Sequence, residues 1–188
     1  MPDVVLEGRR VVNNIQTSAS LFLVKNIFSI LTTVFTLIAA NLYPLYPTQL
    51  SLLGAFTIGT PAFVLALQPN KELIRGDFLV NVILKALPAG LADFIMLAAI
   101  SIHGNILGMS NEQISTVAIV ILLFIGLAAL VRICRPFDGI RILLCLAMAA
   151  GIVICVLNFK GIFAITTVNM IMLRMIIMYA LIAGYCSA

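Results

Sequence analysis

The sequence predicts an all-α polytopic membrane protein with six transmembrane helices and both termini on the cytoplasmic side. Three observations lead there. Apolar residues make up 63% of the 188-residue chain and charged residues only 10%, with a mean hydropathy of +1.20. A soluble domain of this length needs far more charge to stay in solution. The apolar residues come in runs long enough to cross the hydrocarbon of a bilayer, which takes about 20 residues of helix. The basic residues, finally, alternate between successive links, as the positive-inside rule requires. Arg9, Arg10 and Lys25 lie before or early in the first run. Lys71, Arg75 and Lys85 flank the link between the second and third, and Arg132, Arg135 and Arg141 that between the fourth and fifth. The three opposite links hold Lys160 and no arginine. Losing one span would scramble that pattern. The net charge of +4 does not indicate a nucleic-acid partner, because these residues form no basic face with aromatic platforms.

The first element begins polar. Val4, Val11 and Ile15 share one helical face among charges and amides, and residues 1–20 read as a cytoplasmic stalk. Residues 21–188 form the membrane domain. The first span covers 21–40 and ends at Asn41-Leu-Tyr-Pro-Leu-Tyr-Pro47, whose tyrosines suit an interface. No export signal is expected, since Met1–Gln16 lack an apolar core and a cleavage site. The second span covers 48–67 and contains Gly54, Gly59 and Pro61. A polar loop with Lys71, Glu72 and Arg75 follows. The third span, 78–102, is expected to bend near Pro88 and Gly90. His103–Gln113 reads as an exterior link, which places the single histidine far from any reaction. The fourth span covers 115–133, Arg135-Pro-Phe-Asp138 turns the chain, and the fifth covers 140–157. Asn158–Gly161 leads to the sixth, 162–185. Cys134, Cys145, Cys155 and Cys186 form no C-x-x-C pair and read as packing residues.

Polar groups inside the apolar runs mark where chemistry can sit. Lys25, Asn26, Ser29, Thr32, Thr33 and Thr36 fall within roughly 120° of arc on the first helix. Such a stripe faces either neighbouring helices, as interhelical hydrogen bonding, or a hydrated ion path. In the second span, Pro61 removes a main-chain donor at mid-membrane depth. Broken helices of this kind supply carbonyl oxygens to cations in transporters, and hard cations take carbonyl, amide and hydroxyl oxygens. A simple packing kink is the competing reading. Asp93 is the one carboxylate well inside an apolar run and Arg174 the clearest intramembrane cation. Such charges are paired or functional, and Asp93 would pair with Arg174 or Lys25. Lys25 and Lys85 lie close enough to the cytoplasmic surface to snorkel. No phosphate-binding loop, zinc-protease motif or Ser/His/Asp set is present, so no catalysis is expected of this chain by itself.

Two stretches resemble the P-type ATPases. Val5-Leu-Glu-Gly-Arg-Arg-Val-Val-Asn-Asn-Ile15 is similar to the start of that family's long fifth membrane helix. Pro47-Thr-Gln-Leu50, Thr57-Ile-Gly-Thr-Pro-Ala62 and Ala66-Leu-Gln-Pro-Asn70 are similar to its sixth helix and the loop after it, where those pumps unwind a helix to hold the cation. The later spans match in number, length and orientation only. The resemblance implies that this chain is the C-terminal membrane segment, helices five to ten, of a bacterial cation pump. The parent would bind ATP and magnesium in domains outside this chain and work through an aspartyl-phosphate, and no Asp-Lys-Thr-Gly motif occurs here. Its partners would be the transported cation, the bilayer of the cell membrane and the parent's remaining domains.

Matched to the calcium pumps of that family, Asn26 keeps an amide and Thr57 a hydroxyl. The acidic ligand of the fifth helix falls at Ser29, and the asparagine and aspartate of the sixth fall at Gly54 and Ile58. The resemblance thus implies a metal site of Asn26, Ser29, Thr57 and main-chain carbonyls around Gly54 and Ile58. It is nearest to a bacterial branch that includes calcium-uptake pumps. Calcium is the first expectation, with magnesium, potassium and protons open. The alternatives are a stand-alone six-span channel or secondary transporter, and a membrane scaffold without transport.

Overall fold

A computed structural model describes residues 2–39, 43–67, 77–134 and 139–187. The links carrying Lys71, Glu72 and Arg75, and Arg135 to Asp138, lie outside the described residues. Among the described residues the elements are all helical. They are α1 (Pro2–Ala39), α2 (Pro47–Leu53), a π-helical segment (Gly54–Gly59), α3 (Thr60–Ala66), α4 (Phe78–Ile106), α5 (Asn111–Ile133), α6 (Gly139–Asn158) and α7 (Met170–Ser187). Five stretches are long and apolar enough to cross a membrane: Val11–Ala39, Pro47–Leu65, Phe78–Ile106, Asn111–Arg132 and Gly139–Asn158. The last helix is a shorter apolar one, Met170–Tyr185. This is the expected polytopic all-α architecture.

α1 is one unbroken helix of 38 residues, about 57 Å long at 1.5 Å per residue. That is nearly twice the hydrocarbon thickness, so stalk and span form one rigid rod. It packs chiefly on α4, where Phe35 and Phe94 meet edge to face with ring centroids 6.0 Å apart. α4 continues through Pro88 and Gly90 without ending. α5 is the centre of the bundle. Val117, Ala118, Ile119 and Ile121 are fully enclosed, and α4, α6, α7 and the second span all pack on it. Outward-facing side chains such as Leu37, Ile38, Ile106 and Leu181 are largely exposed. On a soluble protein such apolar faces would aggregate, whereas lipid tails accept them.

Three boundaries differ from the sequence expectation. α5 starts at Asn111 because Ser110 caps it. Gln113 N donates to Ser110 Oγ (3.4 Å), and Ser110 N donates to Gln113 Oε1 (3.1 Å). α4 runs to Ile106, so His103 lies on its last turn rather than in a link. There His103 Nδ1 is 3.3 Å from Tyr179 Oη on α7. The largest difference is at the end of the chain. The sixth span was expected as a helix over 162–185, but α7 begins only at Met170. Residues 165–169 carry no helix, turn or strand. Ile165-Thr-Thr-Val168 is a β-branched run that loses χ1 freedom in a helix, and tertiary bonds hold it in its place.

Those bonds centre on two buried residues. Gln49, 0% exposed, accepts from Tyr46 N (3.1 Å) and offers its Nε2 to Ser115 Oγ (3.4 Å) and the Ala164 carbonyl (3.3 Å). Thr116 Oγ1 accepts from Thr166 N (3.1 Å) and lies 3.2 Å from Thr166 Oγ1. Ala164 sits at φ 49°, a left-handed conformation that costs a non-glycine residue about 1–2 kcal/mol. Gln49 thus joins the start of the second span to α5 and to the segment before α7. Cys134, just beyond the span that ends at Arg132, is fully enclosed. Burial pushes its thiol well above the usual cysteine range, so it stays protonated as a packing group.

Gln49→Leu leaves the Tyr46 N–H and the Ala164 carbonyl short of a partner, while the Ser115 hydroxyl keeps its bond to Glu112 O. The expected loss is about 1–3 kcal/mol, read as a lower unfolding temperature in detergent. Ala164→Gly, which only relieves backbone strain, is expected to leave that temperature unchanged or slightly raised.

Candidate functional site: the broken second span

The second span changes hydrogen-bond register twice within its length. Gly54 N–H reaches Leu50 O and Ser51 O, four and three residues back, and the π segment follows from Gly54. Thr60 N–H reaches Ala55 O, five residues back. Regular α-bonding resumes over Thr60–Ala66. Pro61 then removes a donor. An N–H at that position would serve Phe56 in π register or Thr57 in α register, and proline offers neither. A carbonyl of this turn therefore lacks its main-chain donor inside an apolar span. Such π segments occur mostly at functional sites.

Neighbouring side chains hold the irregular turn. Thr57, 8% exposed, donates its hydroxyl to Leu53 O at 2.6 Å, which satisfies a carbonyl on the turn below. Its methyl lies against Gly126 of α5, and the Phe56 ring lies against Gly151 of α6; neither glycine has room for a Cβ without displacing its neighbour. The π segment is thus clamped between α5 and α6. On the α1 side, Lys25 Nζ stands 3.2 Å from the point where a Cβ on Gly54 would be. The ammonium reaches the main chain where the widening starts.

The expected site residues are distributed unevenly around this turn. Ile58 is buried and Gly54 half-buried. Ser29 is half-buried on α1, but Asn26 lies on an exposed face of α1 and Thr57 turns its side chain to α5. The polar stripe of α1 also divides. Thr32 is fully buried, whereas Thr33 is exposed. Their hydroxyls bond back to Phe28 O (2.8 Å) and Ser29 O (2.8 Å), and Thr36 bonds to Thr33 O (2.9 Å). A hydroxyl satisfied by its own helix carries little cost on an outer face, which is why the stripe need not lie wholly inside. Arg174 is exposed on α7, and no ion pair joins Asp93 to Arg174 or Lys25 among the described residues. α7 packs chiefly on α5, meets α4 at His103–Tyr179, and carries Arg174 on an exposed face, away from Asp93.

No group of three or more His, Cys, Asp or Glu side chains capable of holding a metal is found among the described residues. A cation held at this turn would meet neutral oxygens, from main-chain carbonyls and hydroxyls, with the Lys25 ammonium close by. That donor set fits a hard cation. Sequence reading located the break through Gly54, Gly59 and Pro61. It did not locate Gly126 and Gly151, because a lone glycine in an apolar run says nothing about which helix will face it.

Comparison with known proteins adds the following. No protein-family profile matches the chain. The probable cation-transporting ATPase exp7 of Streptococcus pneumoniae is 34% identical over 159 residues, 80% of this chain and 20% of that protein. The calcium-transporting ATPase CtpE of Mycobacterium bovis is 36% identical over 168 residues, 82% of this chain and 21% of that protein. The protein of the same name from Mycolicibacterium smegmatis is 32% identical over 186 residues, 90% of this chain and 24% of that protein. The chain therefore spans between a fifth and a quarter of the length of the relatives it matches.

Gly126→Ala drives a methyl into Thr57 and is expected to cost about 1–3 kcal/mol of stability, as overpacking does. Thr57→Ser, which removes the opposing methyl, is expected to recover part of that loss. A double-mutant cycle on unfolding temperatures measures it, and full additivity would show that the two side chains do not oppose each other.

Proposed function

This chain belongs to the family of bacterial P-type cation-transporting ATPases, and on that premise we propose that it forms part of the cation pathway in the membrane domain of an ATP-driven pump. The observation that carries the reading is the π segment Gly54–Gly59 followed by Pro61, which together release main-chain oxygen from helical bonding within an apolar span. The cation would take carbonyls between Gly54 and Ile58, the hydroxyls of Ser29 and Thr57, and the Asn26 amide. Thr57 Oγ1 keeps acceptor lone pairs while it donates to Leu53 O. Asn26 faces outward from this chain, so it would meet the cation together with ligands from the rest of the parent. Calcium is the proposed ion. Two of the matched relatives are named calcium-transporting, and an oxygen-only donor set suits calcium.

ATP and magnesium would act in parts of the parent outside this chain. α1 is suited to transmit their work. Its stalk and its span are one helix, and Ser29 and Lys25 ride on it. A displacement of the stalk would then move Ser29 relative to the π segment, which α5 and α6 hold. Lys25 brings a positive charge to Gly54 that an arriving cation must displace or outweigh. Asp93 and Arg174 serve as separate membrane charges in this reading, since the fold does not place them together. The protein would reside in the cell membrane as a multi-pass component.

Two outcomes are expected. The reading frame upstream of Met1 should extend through a phosphorylation motif, and a stop codon shortly before Met1 would end the proposal. In the full-length pump, Asn26→Leu and Thr57→Val should each raise the calcium concentration that half-activates ATP hydrolysis by about tenfold, the effect of losing roughly 1.4 kcal/mol of ligation. Unchanged activation in both variants would assign these residues to packing alone.

A further inference from the structure

Lys25 sits on the inner face of α1. Lys25, Phe28, Ser29 and Thr32 form a buried or half-buried stripe, whereas Asn26, Ile30 and Thr33 are exposed. Phe28 joins Leu52 and Leu53 of the second span in the main apolar core. α4 fixes the rotation of α1 at this turn. Its Gly90 sits so close that an added Cβ would lie 2.9 Å from Ile27 Cγ2 and 3.1 Å from the Val24 carbonyl oxygen. With Val24 and Ile27 seated on α4, Lys25 is aimed at the second span, and its Nζ stops beside Gly54.

A lysine that snorkels carries its charge out of the hydrocarbon. This one ends beside a second apolar span. Lys25 is the middle residue of the apolar stretch Val11–Ala39, and Gly54 lies within Pro47–Leu65. Among the described residues Lys25 forms no ion pair and no hydrogen bond. A charge within apolar spans and without a counter-charge points to function rather than packing. The ammonium has three N–H donors to offer, and it stands at a turn that Pro61 leaves short of one. It also brings the same sign of charge that a cation at these carbonyls would bring. Two such charges a few ångströms apart repel, and strongly so where water is scarce.

Resting on the pump reading above, we propose that Lys25 is the affinity-setting residue of the cation site. Its ammonium serves the widened turn while no cation is bound and withdraws when one arrives. The protein thus carries its own competitor on α1, at a fixed local concentration. Carbonyls released from helical bonding keep a positive partner in both states, and the cation binds only at concentrations that overcome the lysine.

The test uses the full-length pump with free calcium set by a chelator. Lys25→Met and Lys25→Gln remove the charge, and Lys25→Arg keeps it. Both neutral variants should lower the calcium concentration that half-activates ATP hydrolysis by about tenfold or more, the scale of losing one like charge at close range. Lys25→Arg should not fall below wild type. The same order should appear without turnover. At one sub-saturating calcium concentration, the rise in unfolding temperature over the chelated protein should be larger in the neutral variants than in wild type, as tighter binding requires. Half-activation that is unchanged or raised in both neutral variants, beside a wild type that responds, overturns the role of Lys25 and leaves the pump reading intact. Loss of the fold in both neutral variants makes Lys25 a structural group and overturns its role likewise. A wild type without calcium response in either measurement overturns the calcium-pump reading, and the role of the lysine with it.

Discussion

A main-chain carbonyl in hydrocarbon has no water to fall back on. Leaving it unpaired costs several kcal/mol, and the arrangement of this chain follows from where it departs from regular bonding. The largest departure inside a span, among the described residues, is Gly54–Pro61, with Pro88 removing one further donor in α4. Neighbouring helices close on it. α5 supplies an apolar wall, Gly126 and Gly151 admit Thr57 and Phe56 at close range, and the Thr57 hydroxyl takes over Leu53 O. Helix–helix association in membranes relies on small residues that let neighbours approach. Here they serve to hold an irregular turn in one conformation.

The other intramembrane polar groups are handled by two means. Along α1, threonine hydroxyls bond back to their own helix, so that polar residues lie on both buried and exposed faces of one rod. Around Gln49, polar side chains bridge separate elements and replace helical bonding in the segment before α7. The first device leaves α1 free of directional ties to its neighbours through those hydroxyls. The second fixes the outer end of the broken span to α5. α1 is thus held to α4 mainly by apolar packing, whereas the broken span is tied to α5 by hydrogen bonds.

Lys25 marks the approach to that turn from α1. Its ammonium stands beside Gly54, and Ser29, one helical turn further along the same helix, adds a hydroxyl and no charge.

Much of this was legible in the residues themselves. Composition and run length settle the membrane environment, since hydrocarbon admits only segments that satisfy their own main chain. The long first helix is readable from a polar run turning apolar without a breaker between. The break in the second span is readable because proline lacks a donor whatever surrounds it. These are local properties of the chain, and they stand before any packing is known. Tertiary structure alone decided the rest. The β-branched stretch Ile165–Val168 could have entered a helix and did not, because Thr116 and Gln49 offered its main chain other partners. Arg174 could have met Asp93 and did not, because it lies on an exposed face of α7, which packs chiefly on α5. Thr57 faces Gly126, and Phe56 faces Gly151, through contacts between residues far apart in sequence. Covalent chemistry determines which groups need a partner; only the packed helices determine which partner each one finds.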